Sequence, residues 1–179
     1  LLQSSAASDV YKRQDWQSLL KLLENINHQI DNTDMVFSIL VVNDGSIEKI
    51  PQRFPNCSKF NSIKIMNLKN NIGHARCIAT GLKYIMENDE FDYVIPMDSD
   101  GEDRPEEIKD LVQKTETNLE LPVVCERIKR SEGTLFKLCY FFHKLITKTF
   151  TGKSIRFGNF TCLPKIIIKK MIEEKATWS

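Results

Sequence analysis

Residues 94–107 read VIPMDSDGEDRPEE, and this stretch decides how the chain is interpreted. An apolar run ends there in four carboxylates within six residues: Asp98, Asp100, Glu102 and Asp103. Carboxylates gathered at the end of a buried strand repel one another unless a cation lies among them. Hard oxygen ligands suit Mg²⁺ or Mn²⁺, which take further ligands from water and phosphate. The stretch therefore predicts a metal–diphosphate site with Asp98 and Asp100 as metal ligands.

An ordinary acidic loop is the alternative interpretation of these carboxylates. Pro105 indicates the first turn of a helix, and acidic residues are favourable near a helix amino terminus. The carboxylates directly follow an apolar strand rather than a charged surface run, which favours a metal site. An EF-hand is excluded, because Gly101 lies at position 4 of a loop that starts at Asp98, and not at position 6.

Apolar periodicity around this stretch predicts strands that alternate with helices. The first predicted helix begins at Asp15. The other predicted helices span Asn71–Met86, Pro105–Lys114, Thr134–Phe150 and Pro164–Glu173. The predicted strands are Met35–Val42, Ser62–Leu68 and Asp92–Met97, and Leu121–Cys125 is a further apolar run. Such alternation predicts an α/β fold, with a mainly parallel sheet and helices on both of its faces.

A second polar turn, residues 43–46 (NDGS), also follows a predicted strand. Ligands of open α/β sheets bind at the carboxyl ends of the strands, so Asp44 is a candidate for contacting a base or ribose. Gly45 would allow a close approach of the backbone. An ordinary Asp-Gly turn explains the same residues and is favoured when they are taken alone.

Residues 71–76 (NIGHAR) contain neither a P-loop nor a dinucleotide fingerprint. Asn71 is the predicted cap of the helix that follows. His74 and Arg76 are within reach of a ligand at the sheet edge, although a surface or packing role is favoured for each when it is judged alone.

Charge is distributed unevenly, although the net charge is only +1. Residues 127–170 hold 11 Lys or Arg and a single acid, Glu132. On a helix, four basic residues of this segment share one stripe: Arg130, Lys137, Lys144 and Lys148. A membrane-surface helix and a core helix with snorkelling lysines both fit this pattern. No recognition motif for nucleic acid accompanies the charge.

Composition indicates an ordinary globular protein. The chain has 41% hydrophobic and 27% charged residues, and no apolar run approaches the roughly 20 residues that cross a bilayer. The five cysteines are odd in number and none has C-x-x-C spacing, which favours reduced, mostly buried thiols over a zinc site or disulfides. Residues 1–14 lack periodicity, so we expect a non-native leader outside the fold and a chain that is truncated at its start.

Taken in order, these motifs resemble glycosyltransferase family 2, whose inverting enzymes have the GT-A (Rossmann-like) fold. Residues 41–46 (VVNDGS) look like the family's first acidic motif, with Asn43 where Asp is usual. Asn71-x-Gly73 with Ala75 resembles the helix beside the nucleotide site, and residues 97–106 resemble the DxD motif. Within the family, the chain is most similar to dolichol-phosphate mannosyltransferase-like enzymes and their bacterial polyprenyl-phosphate relatives, and residues 126–164 closely resemble a bacterial subgroup.

The resemblance implies a role for each candidate residue. Residues 15–126 would form the part that binds a UDP- or GDP-sugar, through Asp44, Gly45, Asn71, Gly73 and Asp98. Asp98 and Asp100 would hold Mg²⁺ or Mn²⁺, and Glu102 and Asp103 are candidate bases for a hydroxyl acceptor. Residues 127–179 would form a basic part that faces the acceptor and the membrane, and Arg127, Arg130 and Ser131 would contact phosphates.

The resemblance also implies a partner and a location. The acceptor would be a polyprenyl phosphate at the cytoplasmic face of the membrane, and no nucleic acid would be bound. Three alternatives remain open: a soluble sugar or protein acceptor, a receiver-type signalling domain whose acidic pocket binds Mg²⁺, and an inactive binding fragment.

Overall fold

The computed structural model describes residues 2–4, 16–31, 33–55, 58–101, 103–126 and 157–173. Its helices are α1 (Trp16–Ile30), α2 (His74–Asn88), α3 (Ile108–Glu116) and α4 (Lys165–Glu173). Its strands are β1 (Leu2–Ser4), β2 (Phe37–Asn43), β3 (Phe60–Asn67), β4 (Tyr93–Val94), β5 (Met97–Asp98), β6 (Val123–Glu126) and β7 (Phe157–Pro164). A 3₁₀ turn at Pro105–Glu107 leads into α3.

Four strands form a parallel sheet in the order β3-β2-β1-β5. The other three strands form an antiparallel sheet in the order β4-β7-β6. The predicted α/β class with parallel strands is therefore confirmed, with an antiparallel extension that the periodicity did not indicate.

The predicted single strand Asp92–Met97 is wrong, because the chain there forms two short strands. β4 pairs with β7 in one sheet, and β5 pairs with β1 in the other. Pro96 lies between them, and a proline has no N–H to donate to a neighbouring strand. The segment that carries the acidic stretch therefore joins the two sheets.

Residues 1–14 were expected to stay outside the fold, and this expectation is wrong for Leu2–Ser4. These residues form β1 at the centre of the parallel sheet, with Leu2 opposite Val41 on one side and Met97 on the other. Parallel pairing requires only an extended backbone with free N–H and C=O groups, so apolar periodicity over a longer window does not reveal so short a strand.

Side chains of β2 alternate between two hydrophobic clusters. Ile39 and Val41 pack with α1 and α3, whereas Leu40 and Val42 pack with α2 and α4. A strand that is buried on both faces has the continuous apolar character seen in residues 39–42. The predicted placement of helices on both faces of the sheet is thus confirmed.

The carboxyl-terminal helix was predicted at Pro164–Glu173 and is confirmed as α4, one residue shorter. β7 was not predicted, since its residues alternate poorly between polar and apolar types. The predicted helix Thr134–Phe150 lies outside the described residues. Within the described ranges, no helix combines the length and the apolar character that crossing a membrane requires.

Candidate functional site

The register of the parallel sheet brings the two polar turns to one edge. Ser4 of β1 lies opposite Asn43 of β2, and Gln3 lies opposite Asp98 of β5. Neighbouring strands are about 4.8 Å apart, so Asn43 and Asp98 lie about 10 Å apart across β1. This is the carboxyl edge of the sheet, where α/β folds bind ligands.

Asp44 is fully buried at this edge, and its carboxylate holds the start of α2. Oδ1 accepts the backbone N–H of Ile72 at 2.7 Å, and Oδ2 accepts that of Gly73 at 3.0 Å. Gly73 is the N-cap residue of α2 and has a φ of +87°, so the predicted cap at Asn71 is wrong. A carboxylate near a helix amino terminus is also favoured by the helix dipole.

Gly45 lets the loop before α2 lie directly against this turn. Its φ is +72°, and a Cβ at this position would stand 2.8 Å from the backbone nitrogen of Asn71. Asn43 completes the turn: its side chain donates to Oδ1 of Asn67 at 2.8 Å and accepts the N–H of Ser46 at 3.1 Å. The turn and the loop 70–73 are therefore one packed unit.

Asp98 and Asp100 differ from Asp44 because their side chains reach the surface. The Asp98 side chain is 26% exposed, and Asp100 is exposed as a whole residue. His74, the first residue of α2, faces Asp98, with Nδ1 lying 3.7 Å from Oδ1. The sequence had indicated that His74 could reach the sheet edge, but not that it faces an acidic residue there.

Asp103 is buried, and its carboxylate closes the acidic turn. Oδ2 accepts the backbone N–H of Asp98 at 2.7 Å, and the residue is only 5% exposed. Gly101 within this turn has a φ of +83°, and a Cβ there would meet no atom within 4 Å. The three described carboxylates of this turn are thus not equivalent, and Glu102 lies outside the described residues.

The donor set suits a hard divalent cation that is shared with a ligand. Among the described residues, no three His, Cys, Asp or Glu side chains are grouped to enclose a metal by themselves. Asp98 and Asp100 offer carboxylate oxygens at an exposed edge, and Mg²⁺ commonly takes one or two carboxylates, with water and substrate phosphates as the remaining ligands. Two carboxylates at such an edge therefore fit Mg²⁺ or Mn²⁺.

Two thiols near these carboxylates are held in the protonated form. Burial is the largest cause that raises the pKa of Cys77 to about 12, and a hydrogen bond to Asp44 is the next largest. For Cys125, burial is again the largest cause, a hydrogen bond to Glu107 is the next largest, and the pKa is also raised to about 12. A nucleophilic cysteine needs the thiolate form, so neither residue is suited to that role.

The other predicted site residues divide into two groups. Asn71 is exposed and Gly73 is half-buried, and both lie beside Asp44. Arg127, Arg130 and Ser131 lie outside the described residues, as does most of the basic segment. The structure thus brings Asp44, Gly45, Asn71, Gly73, Asp98, Asp100 and Asp103 to one edge of the sheet.

A cavity of about 560 Å³ lies away from this edge, beside the first half of β2. Its lining includes Phe37, Leu40, Tyr93 and Val94 but none of the predicted site residues. β1 pairs only with Val41–Asn43 of β2, which leaves room between the first half of β2 and β4. We therefore assign the candidate site from the carboxylates rather than from the cavity.

Comparison with known proteins finds a matching family profile and related curated proteins. The profile of Glycosyl transferase family 2 matches residues 6–166. The chain is 29% identical over 132 residues to the "Uncharacterized glycosyltransferase sll0501" of Synechocystis, covering 73% of this chain and 40% of that protein. It is 26% identical over 152 residues to the "Uncharacterized glycosyltransferase YkcC" of Bacillus subtilis, covering 83% of this chain and 46% of that protein. The chain thus spans less than half the length of either relative.

Proposed function

Since the chain belongs to glycosyl transferase family 2, we propose that it transfers a sugar from a nucleotide-sugar donor to an acceptor. The single observation that supports this most is that the aspartates at the carboxyl edge of the sheet differ in burial. Asp44 and Asp103 are buried and bonded to the main chain, whereas Asp98 and Asp100 reach the surface. The fold is the GT-A type expected for the family.

We propose that the donor is a UDP- or GDP-sugar bound beside Asp44 and Asp98. Asn71, Gly73 and the Asp44-Gly45 turn form one packed unit next to the partly exposed Asp98. That unit would support the nucleoside, and the diphosphate would extend toward Asp98 and Asp100. A bound Mg²⁺ or Mn²⁺ would neutralise the charge that develops on the departing nucleoside diphosphate.

The reaction in this proposal is a displacement at the anomeric carbon. An acceptor oxygen forms a bond to that carbon while the bond to the nucleoside diphosphate breaks, and the electron pair leaves with the diphosphate oxygen. An ionised lipid phosphate needs no base for this step, whereas a hydroxyl acceptor must lose a proton to a carboxylate. Glu102 and Asp103 are the candidates from sequence for that second case.

We propose a polyprenyl phosphate as the acceptor, at the cytoplasmic face of the membrane. The support is the charge of residues 127–170, with 11 basic residues and one acid. Such a segment would attract an anionic head group toward the site. Arg127, Arg130 and Ser131 would contact phosphates of the donor or the acceptor. Family membership favours this proposal over a receiver-type signalling domain.

Nucleotide titration tests the donor and the metal. We would titrate UDP and GDP, each with and without Mn²⁺, against the parent chain and against Asp98→Ala/Asp100→Ala. The matched control is Asp31→Ala/Asp34→Ala, which removes two exposed aspartates outside the site. We expect Mn²⁺-dependent binding of one nucleotide, retained by the control and lost in the site variant. Equal binding by all three proteins would place the nucleotide elsewhere, and no binding by the parent chain would contradict the proposal for this chain.

Acceptor choice is tested separately. The parent chain with the preferred nucleotide-sugar is offered a polyprenyl phosphate in vesicles or a water-soluble sugar, and the glycosylated product is measured. We expect product from the lipid alone. Replacing Lys137, Lys144 and Lys148 with Glu should weaken binding to anionic vesicles. Transfer to the soluble sugar alone would favour the alternative acceptor.

A further inference from the structure

One carboxylate of the acidic stretch is turned inward. Asp103 is 5% exposed, and its Oδ2 accepts the backbone N–H of Asp98 at 2.7 Å. A general base must lie within about 2.6–3.2 Å of the proton that it removes from the acceptor. A buried carboxylate that already accepts a main-chain N–H is poorly placed to meet an acceptor that arrives from solvent.

We propose that Asp103 is a positioning residue whose carboxylate fixes the main chain at Asp98 and so aims the Asp98 side chain. This inference rests on the proposed function, in which Asp98 is a cation ligand. The bond joins the first and last acids of the turn, five residues apart, and Gly101 between them has a φ of +83°. Asp98 is then held between Asp103 at its main chain and His74 at its side chain.

The physical reason is the cost of ordering a short turn. Fixing a residue in one backbone conformation costs conformational entropy, and a cation needs Asp98 and Asp100 together. A hydrogen bond to a carboxylate is stronger than one between neutral groups. The folded chain therefore orders the turn before the ligand arrives, and less of the binding energy is lost.

The test compares Asp103→Ala with Asp103→Asn, using Mn²⁺ alone as the probe. Outer-sphere partners of metal ligands change metal affinity by about 10- to 100-fold, so we expect Asp103→Ala to weaken Mn²⁺ binding about 10-fold or more. Asp103→Asn should restore most of the affinity, because its amide oxygen can accept the same N–H. Asp110→Ala, an exposed acid in α3, is the control and should leave the affinity unchanged.

Equal losses of turnover in both Asp103 variants with unchanged Mn²⁺ affinity would overturn the proposal and support a general base. Equal weakening of Mn²⁺ binding in both variants would also overturn it, since the hydrogen bond would then not be the cause.

Hydrogen exchange at the Asp98 amide gives a readout that needs neither metal nor donor. We expect protection in the parent chain and in Asp103→Asn, and faster exchange in Asp103→Ala; no change in exchange would overturn the inference. If the Asp98 amide of the parent chain is protected from exchange but the chain binds no Mn²⁺, the proposed function is contradicted. The part of this inference that concerns the metal is then contradicted as well.

Discussion

The two polar turns at the carboxyl edge of the sheet use similar residues for different purposes. Each has a glycine with a positive φ and a buried aspartate that accepts backbone N–H groups. In residues 43–46 those bonds reach a loop almost 30 positions away, whereas in residues 98–103 the bond closes the turn on itself. Only the second turn also has aspartates at the surface. The comparison teaches that the first turn anchors this edge of the fold, whereas the second leaves two carboxylates at the surface, where we propose that a ligand binds.

Asp44→Ala would break the anchoring turn, and we expect the largest effect here. Two part-buried N–H groups would lose a charged acceptor, and each such bond contributes about 1.5–3 kcal/mol, so the free energy of unfolding should fall by about 3–6 kcal/mol. Urea denaturation measures this loss, with the exposed Asp34→Ala as a control that should stay within about 0.5 kcal/mol of the parent. A small loss would mean that water replaces the carboxylate.

The two glycines provide a matched pair that sharpens the comparison. A side chain in the left-handed region costs about 1–2 kcal/mol, and this is all that Gly101→Ala should lose, because nothing lies within 4 Å of its Cβ. Gly45→Ala should lose about 2–5 kcal/mol, because its Cβ would also press against the backbone of Asn70 and Asn71. Urea denaturation of both variants measures the difference, and equal losses would contradict the packed contact at the first turn.

Asp98→Ala/Asp100→Ala should have little effect on folding. The contact between Asp98 and His74 is partly exposed, and pairs of this kind contribute about 0–1 kcal/mol to stability. We therefore expect an unfolding free energy within about 1 kcal/mol of the parent, together with the loss of Mn²⁺-dependent nucleotide binding. Strong destabilisation with retained binding would reverse the roles that we assign to the two turns.

The reactivity of the Cys77 thiol measures the burial of the first turn without any substitution in it. Burial raises the pKa of Cys77 to about 12, so little thiolate is present at pH 8 and iodoacetamide should label native Cys77 very slowly. Labelling should accelerate as the pH rises toward 12, because the thiolate becomes more abundant. Peptide mapping by mass spectrometry measures the rate, and labelling at pH 8 that is as fast in native protein as in urea would show an open turn.

Sequence patterns predicted most elements of the described fold. α1, β2, β3, α2, α3 and α4 lie where apolar periodicity placed them, to within a few residues. β1 and β7 were missed, and the strand before the acidic stretch was predicted as one instead of two. Short strands owe their pairing to main-chain bonds from distant residues, and a local pattern of side chains does not carry that information.

By itself, the sequence determined the fold class, the acidic stretch at the end of an apolar strand and the family to which the chain belongs. It did not show that Asp44 and Asp103 are buried whereas Asp98 and Asp100 reach the surface, because all four are aspartates in polar turns. Only the tertiary structure decided which of them are buried. The carboxylate of Asp44 meets N–H groups almost 30 residues away, and that distance along the chain is closed only when β2 and α2 pack against each other.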